Sequence, residues 1–319
     1  MAQRICVRSN CAIFEAAKLI EPYIVVAQNM AASDQIPSEP LSDDAEEIGD
    51  PPQVIGHSTN FVGLPTDFLA SCDFNAEPCP VHIFGLHEMN PKLFEMLALA
   101  GAIEEAAEAF DSYMKAVFAL EPEQQRDPTR PGTVARRYRS SYLDLIRGWA
   151  FDSNSAEGAV LKGWVESRFG IFPTYHKEPI CRISTGAWTS YVEEKMASRL
   201  HNNSIYTQID LLYEFCQWAA PRLHPGVTHL TLYRGINSFD EHRIARRLDK
   251  THVVMRLNNL VSFSRERDVA SCFGDTVLSV EVPLQKLVFF NTLLPMHALK
   301  GESEYLVVGG DYLVRTIVM

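Results

Sequence analysis

Between residue 90 and about residue 223, apolar residues recur at helical spacing in blocks covering residues 91–120, 135–152, 157–169, 187–202 and 205–222. The pattern then changes. After His224-Pro225-Gly226 it becomes short apolar or alternating runs at 228–234, 252–257, 277–283, 287–291, 302–308 and 312–318, which predict strands. Two short helices are predicted among them, at 240–248 and 265–273, the second opening after Ser264 with acids in its first turn. Helices first and strands last predict an α+β fold rather than the alternating order of a parallel, doubly wound sheet. Near the start, Ile13, Phe14, Ala17 and Ile20 mark one short amphipathic helix over 10–21, stopped by Pro22. A polar run at 33–53 follows, with Pro37, Pro40, Pro51 and Pro52 and an acidic block from Asp43 to Asp50. This predicts an extension over 1–53 and one domain over 54–319, in which 54–225 form a mainly helical lobe and 226–319 a β-rich core.

Charge and composition narrow the possible functions. The 319 residues carry 29 basic and 40 acidic side chains, a net charge of -11, of which residues 1–50 supply -6 through nine acids and three bases. Such a balance disfavours coating of nucleic acid or anionic membrane. Seven scattered cysteines, without a C-x-x-C pair, suit reduced thiols in a cytoplasmic protein. No apolar run approaches the ~18 residues of a membrane span, and Glu15, Lys18 and Glu21 interrupt the only stretch resembling a secretory signal.

The glycine-rich dinucleotide and phosphate loops, the H-E-x-x-H zinc motif and the G-x-S-x-G nucleophile elbow are all absent from the sequence. Cys79, His82 and His87 are close enough to suggest zinc, but no fourth ligand stands at a suitable spacing, so they are read as loop residues and no metal is expected. Three polar features sit at the ends of predicted strands: Tyr233-Arg234-Gly235, Ser262-Phe263-Ser264 and Glu302-Ser303-Glu304. Residues two apart in a strand share a face, so Glu302 and Glu304 would present two carboxylates together, and Ser262 and Ser264 two hydroxyls. Singly, these side chains suit a solvated edge strand, a turn hydroxyl and a surface ion pair. Together they suit sugar chemistry: an arginine fork for a pyrophosphate, a hydroxyl to orient a carboxylate, and a carboxylate to stabilise an oxocarbenium-like centre. A cationic nicotinamide leaves without a general acid, which frees a second carboxylate to receive an incoming guanidinium. That combination is the logic of ADP-ribosyl transfer from NAD.

The order arginine, S-x-S, E-x-E resembles the R-S-E class of ADP-ribosyltransferases, in which E-x-E accompanies arginine modification. Longer stretches resemble one family, the dinitrogenase reductase ADP-ribosyltransferases of nitrogen-fixing bacteria: Ser58-Thr59-Asn60, residues 143–169 (LDLIRGWAFDSNSAEGAVLKGWVESRF), His201-Asn202-Asn203, 211–218 (LLYEFCQW), 258–264 (NNLVSFS) and 297–312 (HALKGESEYLVVGGDY). The resemblance implies a split β-sandwich with no Rossmann fold, NAD as substrate, dinitrogenase reductase as protein substrate, and control by a PII-type nitrogen-signalling protein. It places Arg234 on the NAD phosphates and Ser262 at the nicotinamide-side ribose and the catalytic glutamate. Gly235, where the backbone can approach a ligand, and Ser264 are read as NAD-binding with them, and Phe273 is read either as a nicotinamide stacker or, more simply, as a core residue at a helix end. Glu304 becomes the catalytic glutamate and Glu302 the receiver of the target arginine. The commoner S-T-S is here Ser262-Phe263-Ser264, so the central position has no hydroxyl, and Phe263 is expected in the core. Two other readings are an arginine transferase with a different protein target and a non-catalytic nucleotide-sensing module.

Overall fold

The computed structural model describes residues 60–120, 141–183, 185–196, 200, 203–237, 239, 243–294 and 304–318. The predicted helix over 10–21, the polar run over 33–53, and Glu302 with Ser303 lie outside them.

The chain first forms three short helices, α1 (Thr66–Leu69), α2 (Cys72–Ala76) and α3 (Leu86–Met89), which the sequence pattern did not reveal. The predicted helix over 91–120 is two: α4 (Pro91–Leu99), with Pro91 in its first turn, and α5 (Ile103–Phe118). Gly101 lies in the break, its N–H donating to the Glu105 carboxylate. The next helix, α6 (Tyr142–Phe151), begins at a capping box: the Ser141 hydroxyl accepts the Asp144 N–H, and the Asp144 carboxylate accepts the Ser141 N–H. Ser155 caps α7 (Ala156–Phe169), which ends at the left-handed Gly170. This helix buries most of its circumference, including Val160, Leu161, Trp164 and Val165, and so lies in the interior rather than on the surface. A two-stranded hairpin, β1 (Tyr175–His176) and β2 (Glu178–Pro179), follows it, and then α8 (Gly186–Lys195) and α9 (Asn203–Leu223). Arg168 of α7 forks onto Asp210 of α9 at 2.7 and 2.8 Å, and the Trp164 indole donates to the same carboxylate. The core around these helices holds Phe110, Tyr142, Trp164, Tyr213 and Phe215. Each fully buried side chain of this kind contributes about 1.5–3 kcal/mol before entropy is counted.

The second half is antiparallel: β3 (His229–Ile236), β4 (Ile244–Arg247), β5 (His252–Ser264), β6 (Thr276–Pro283), β7 (Leu287–Phe290) and β8 (Glu304–Val318), with the short helix α10 (Arg267–Ser271) between β5 and β6. These strands hydrogen-bond in the order β4-β5-β3-β6-β8-β7, and β5 also pairs with β8, which closes β5, β3, β6 and β8 into a ring. The α+β order is as expected. The helix predicted over 240–248 is not found in its described part: residues 244–247 form an edge strand paired with residues 253–255 of β5. Where two strands were expected over 302–308 and 312–318, the described part, 304–318, is one long strand. It turns at Gly309 and Gly310. A side chain at Gly309 would overlap the Asn258 carbonyl at 1.6 Å, and Gly310 has φ 122°. Beside that turn Arg256 forks onto Asp311 at 2.6 Å on both arms, and the Asp311 N–H bonds Ala70, which seats α1 against the sheet.

Candidate active site

The register of the sheet brings the motif residues together. Ser264 of β5 pairs with Glu304 of β8 and with Tyr233 of β3. Ser262, two residues earlier on the same face, is therefore diagonal to Glu304, and Arg234 is next to Tyr233. Side chains complete the junction. The Ser262 hydroxyl donates to the Glu304 carboxylate in a short hydrogen bond, and Arg234 donates from Nη1 to the Ser262 carbonyl at 2.7 Å. Burial lowers the Arg234 guanidinium from its ordinary value and the Glu304 carboxylate opposes the change, so the two charges belong to one electrostatic unit.

A third donor comes from a helix. Trp149, near the end of α6, donates its indole N–H to the Ser262 oxygen at 2.8 Å. Because indole only donates, the Ser262 proton is directed to Glu304. The order Trp149, Ser262, Glu304 thus runs from a helix through β5 to β8. Sequence reasoning overlooked Trp149, although it lies within the 143–169 stretch.

These groups line a cavity of about 330 Å³. Phe273 stands at its edge, 55% exposed, and Phe151 is 92% exposed on the same cavity. Phe263 is 2% exposed and packs toward Tyr312, in the core as expected. The Ser264 hydroxyl accepts the Glu266 N–H, which leads the chain into α10. Gly235 is required for a reason the sequence did not show: a side chain there would meet the Ala270 carbonyl at 2.1 Å. Gly235 thus lets α10 approach β3 closely and also lines the cavity. Arg234, Trp149, Ser153 and Ser262 also border a second cavity of about 420 Å³, which continues past Lys162, Arg243 and Arg256. There Lys162 is buried and its ammonium is lowered to about 8 by loss of hydration, while Nζ donates to Asn154, the Tyr175 carbonyl and His176.

Residues 59–316 match the profile of the dinitrogenase reductase ADP-ribosyltransferase family. The chain belongs to that family. A relative from Rhodospirillum rubrum, named "NAD(+)--dinitrogen-reductase ADP-D-ribosyltransferase", is 59% identical over 271 residues, covering 85% of this chain and 98% of the relative. No solved structure matches. The matched region holds Arg234, Ser262, Glu302 and Glu304, together with Trp149.

Proposed function

We propose that the protein transfers ADP-ribose from NAD to an arginine side chain of dinitrogenase reductase, inactivating it and releasing nicotinamide. The observation that carries this reading is the hydrogen-bonded junction of Arg234, Ser262 and Glu304 on a cavity wall. NAD would lie across both cavities, with its ribose and nicotinamide by Ser262, Glu304 and Phe273. Its phosphates would lie at Arg234, which borders both spaces. The C1′–N bond to nicotinamide breaks with the electron pair leaving on the ring, so nicotinamide departs neutral. Glu304, held in place by Ser262, accepts the ribose 2′-hydroxyl and stabilises the cationic sugar. A guanidinium nitrogen then bonds to C1′, and its proton passes to Glu302.

The core that supports this chemistry is of the ADP-ribosyltransferase type, and residues 54–319 act as one domain. Control by a PII-type protein rests on the family resemblance alone. A cytoplasmic setting is consistent with Cys72, Cys79, Cys181, Cys216 and Cys272, all free thiols, and no described helix is long and apolar enough to cross a membrane. The test is incubation with labelled NAD and purified dinitrogenase reductase, followed by mapping of the labelled side chain. Label on one arginine supports the reading; label on another residue type, or none, contradicts it.

A further inference from the structure

Away from the cavity, three side chains converge on one point. His82, in the loop before α3, places Nδ1 2.9 Å from Glu214 Oε2, and His87 of α3 places Nε2 3.0 Å from the same oxygen. All three potential ligand atoms lie within 4.8 Å of one another. Cys79, grouped with the two histidines in the sequence, is not part of this cluster. The third member comes from α9, 127 residues beyond His87.

Glu214 is an unusual residue for its position. Its neighbours Leu211, Leu212, Tyr213 and Phe215 are core residues, and its own side chain is 1% exposed. Burial alone would raise its carboxyl, but hydrogen bonds from His82, the Ile83 N–H and His87 outweigh burial and keep it charged. The Ile83 N–H holds Oε1 at 2.7 Å, which leaves Oε2 as a fixed, single ligand atom. His87 is fixed as well, stacked on Phe94 with ring centroids 3.6 Å apart. Both imidazoles are about half exposed, so an ion has a path in and a water has room at a further coordination position.

The geometry points to a divalent transition-metal site of the zinc class formed by His82 Nδ1, His87 Nε2 and Glu214 Oε2. Two nitrogens and one carboxylate oxygen are the donor set that such an ion takes with an open fourth position. In a tetrahedral site with bonds of ~2.0 Å the ligand atoms stand ~3.3 Å apart, so the 2.9 and 3.0 Å edges need to open by only a few tenths of an ångström. Binding needs a lone pair at each coordinating nitrogen, and each ring's N–H proton moves to its other nitrogen. The ion ties the 82–87 loop to α9 and takes no part in the NAD reaction.

The test uses the full-length protein, stripped of metal and then loaded with zinc or cobalt. One equivalent of zinc should survive gel filtration and raise the melting temperature. The cobalt form should show d–d absorption without a thiolate charge-transfer band. The pair His82→Asn/His87→Gln, whose amides can still donate to Glu214 but bind zinc poorly, should lose the ion while its metal-free melting temperature stays near that of the parent, and Glu214→Gln should also lose it. No retained ion, a thiolate band, or equal retention by the double variant would overturn the assignment. The cobalt spectrum of the parent protein decides the matter even if a variant folds poorly.

Discussion

Ser262 is the residue on which the site turns, because its hydroxyl receives one hydrogen bond from Trp149 of α6 and gives one to Glu304. Trp149→Phe keeps most of the ring and removes only the donor. Loss of one neutral hydrogen bond of about 1 kcal/mol should lower kcat by about 5- to 10-fold and leave KM for NAD nearly unchanged. Steady-state kinetics check this; a change confined to KM would mean that Trp149 packs against substrate instead of positioning Ser262. The motif residues were legible in the sequence because Arg234, Ser262 and Glu304 stand in three short polar motifs that share a chemistry. Trp149 was not, since a 4% exposed tryptophan on a helix looks like any core aromatic and its partner lies 113 residues away. Glu214 was hidden in the same way, by sequence distance from His82 and His87.

The elements divide along similar lines. Helices α6 and α7 were legible because capping residues bound their apolar stretches, and α9 because of the spacing of its apolar positions. Residues 244–247 did not follow: a run rich in arginine has no strong strand signal, and its conformation comes from pairing with β5. The length of β8 was also hidden, because Gly309 and Gly310 suggest a turn between two strands, whereas here they let one strand bend closely past Asn258 and Ala70. Glycine at 235 acts between elements in a comparable way. Gly235→Ala should force α10 away from β3 and cost about 2 kcal/mol or more in stability, with NAD affinity falling as Phe273 moves. Denaturant melts and NAD titration check this. Weaker NAD binding at unchanged stability would show that the glycine serves the ligand directly.

For the whole molecule, two features bear on stability and on the extent of the working unit. Lys286 is 2% exposed, against the Tyr312 and Phe74 rings, and loss of hydration lowers its ammonium from 10.5 to about 7. Between those values the unfolded chain keeps a proton that the native state has shed, so raising the pH favours folding at this site. Lys286→Met removes the effect; the parent should therefore gain stability relative to the variant from pH 7 to pH 9, and parallel denaturation curves would contradict the assignment. The family match begins at residue 59, while the relative is covered over 98% of its length. A chain beginning at Pro52 should accordingly retain ADP-ribosyl transfer, and loss of transfer by a folded product would make the first residues part of the machinery. Glu304 is assigned to the transition state and Glu302 to the acceptor, and side-by-side assay of transfer and NAD hydrolysis separates the two roles. Glu304→Gln should lower both by ~100-fold or more with NAD still bound, whereas Glu302→Gln should lose arginine transfer and keep appreciable hydrolysis. Transfer by Glu304→Gln within a few fold of the parent, or equal loss of both reactions in Glu302→Gln, would contradict the account.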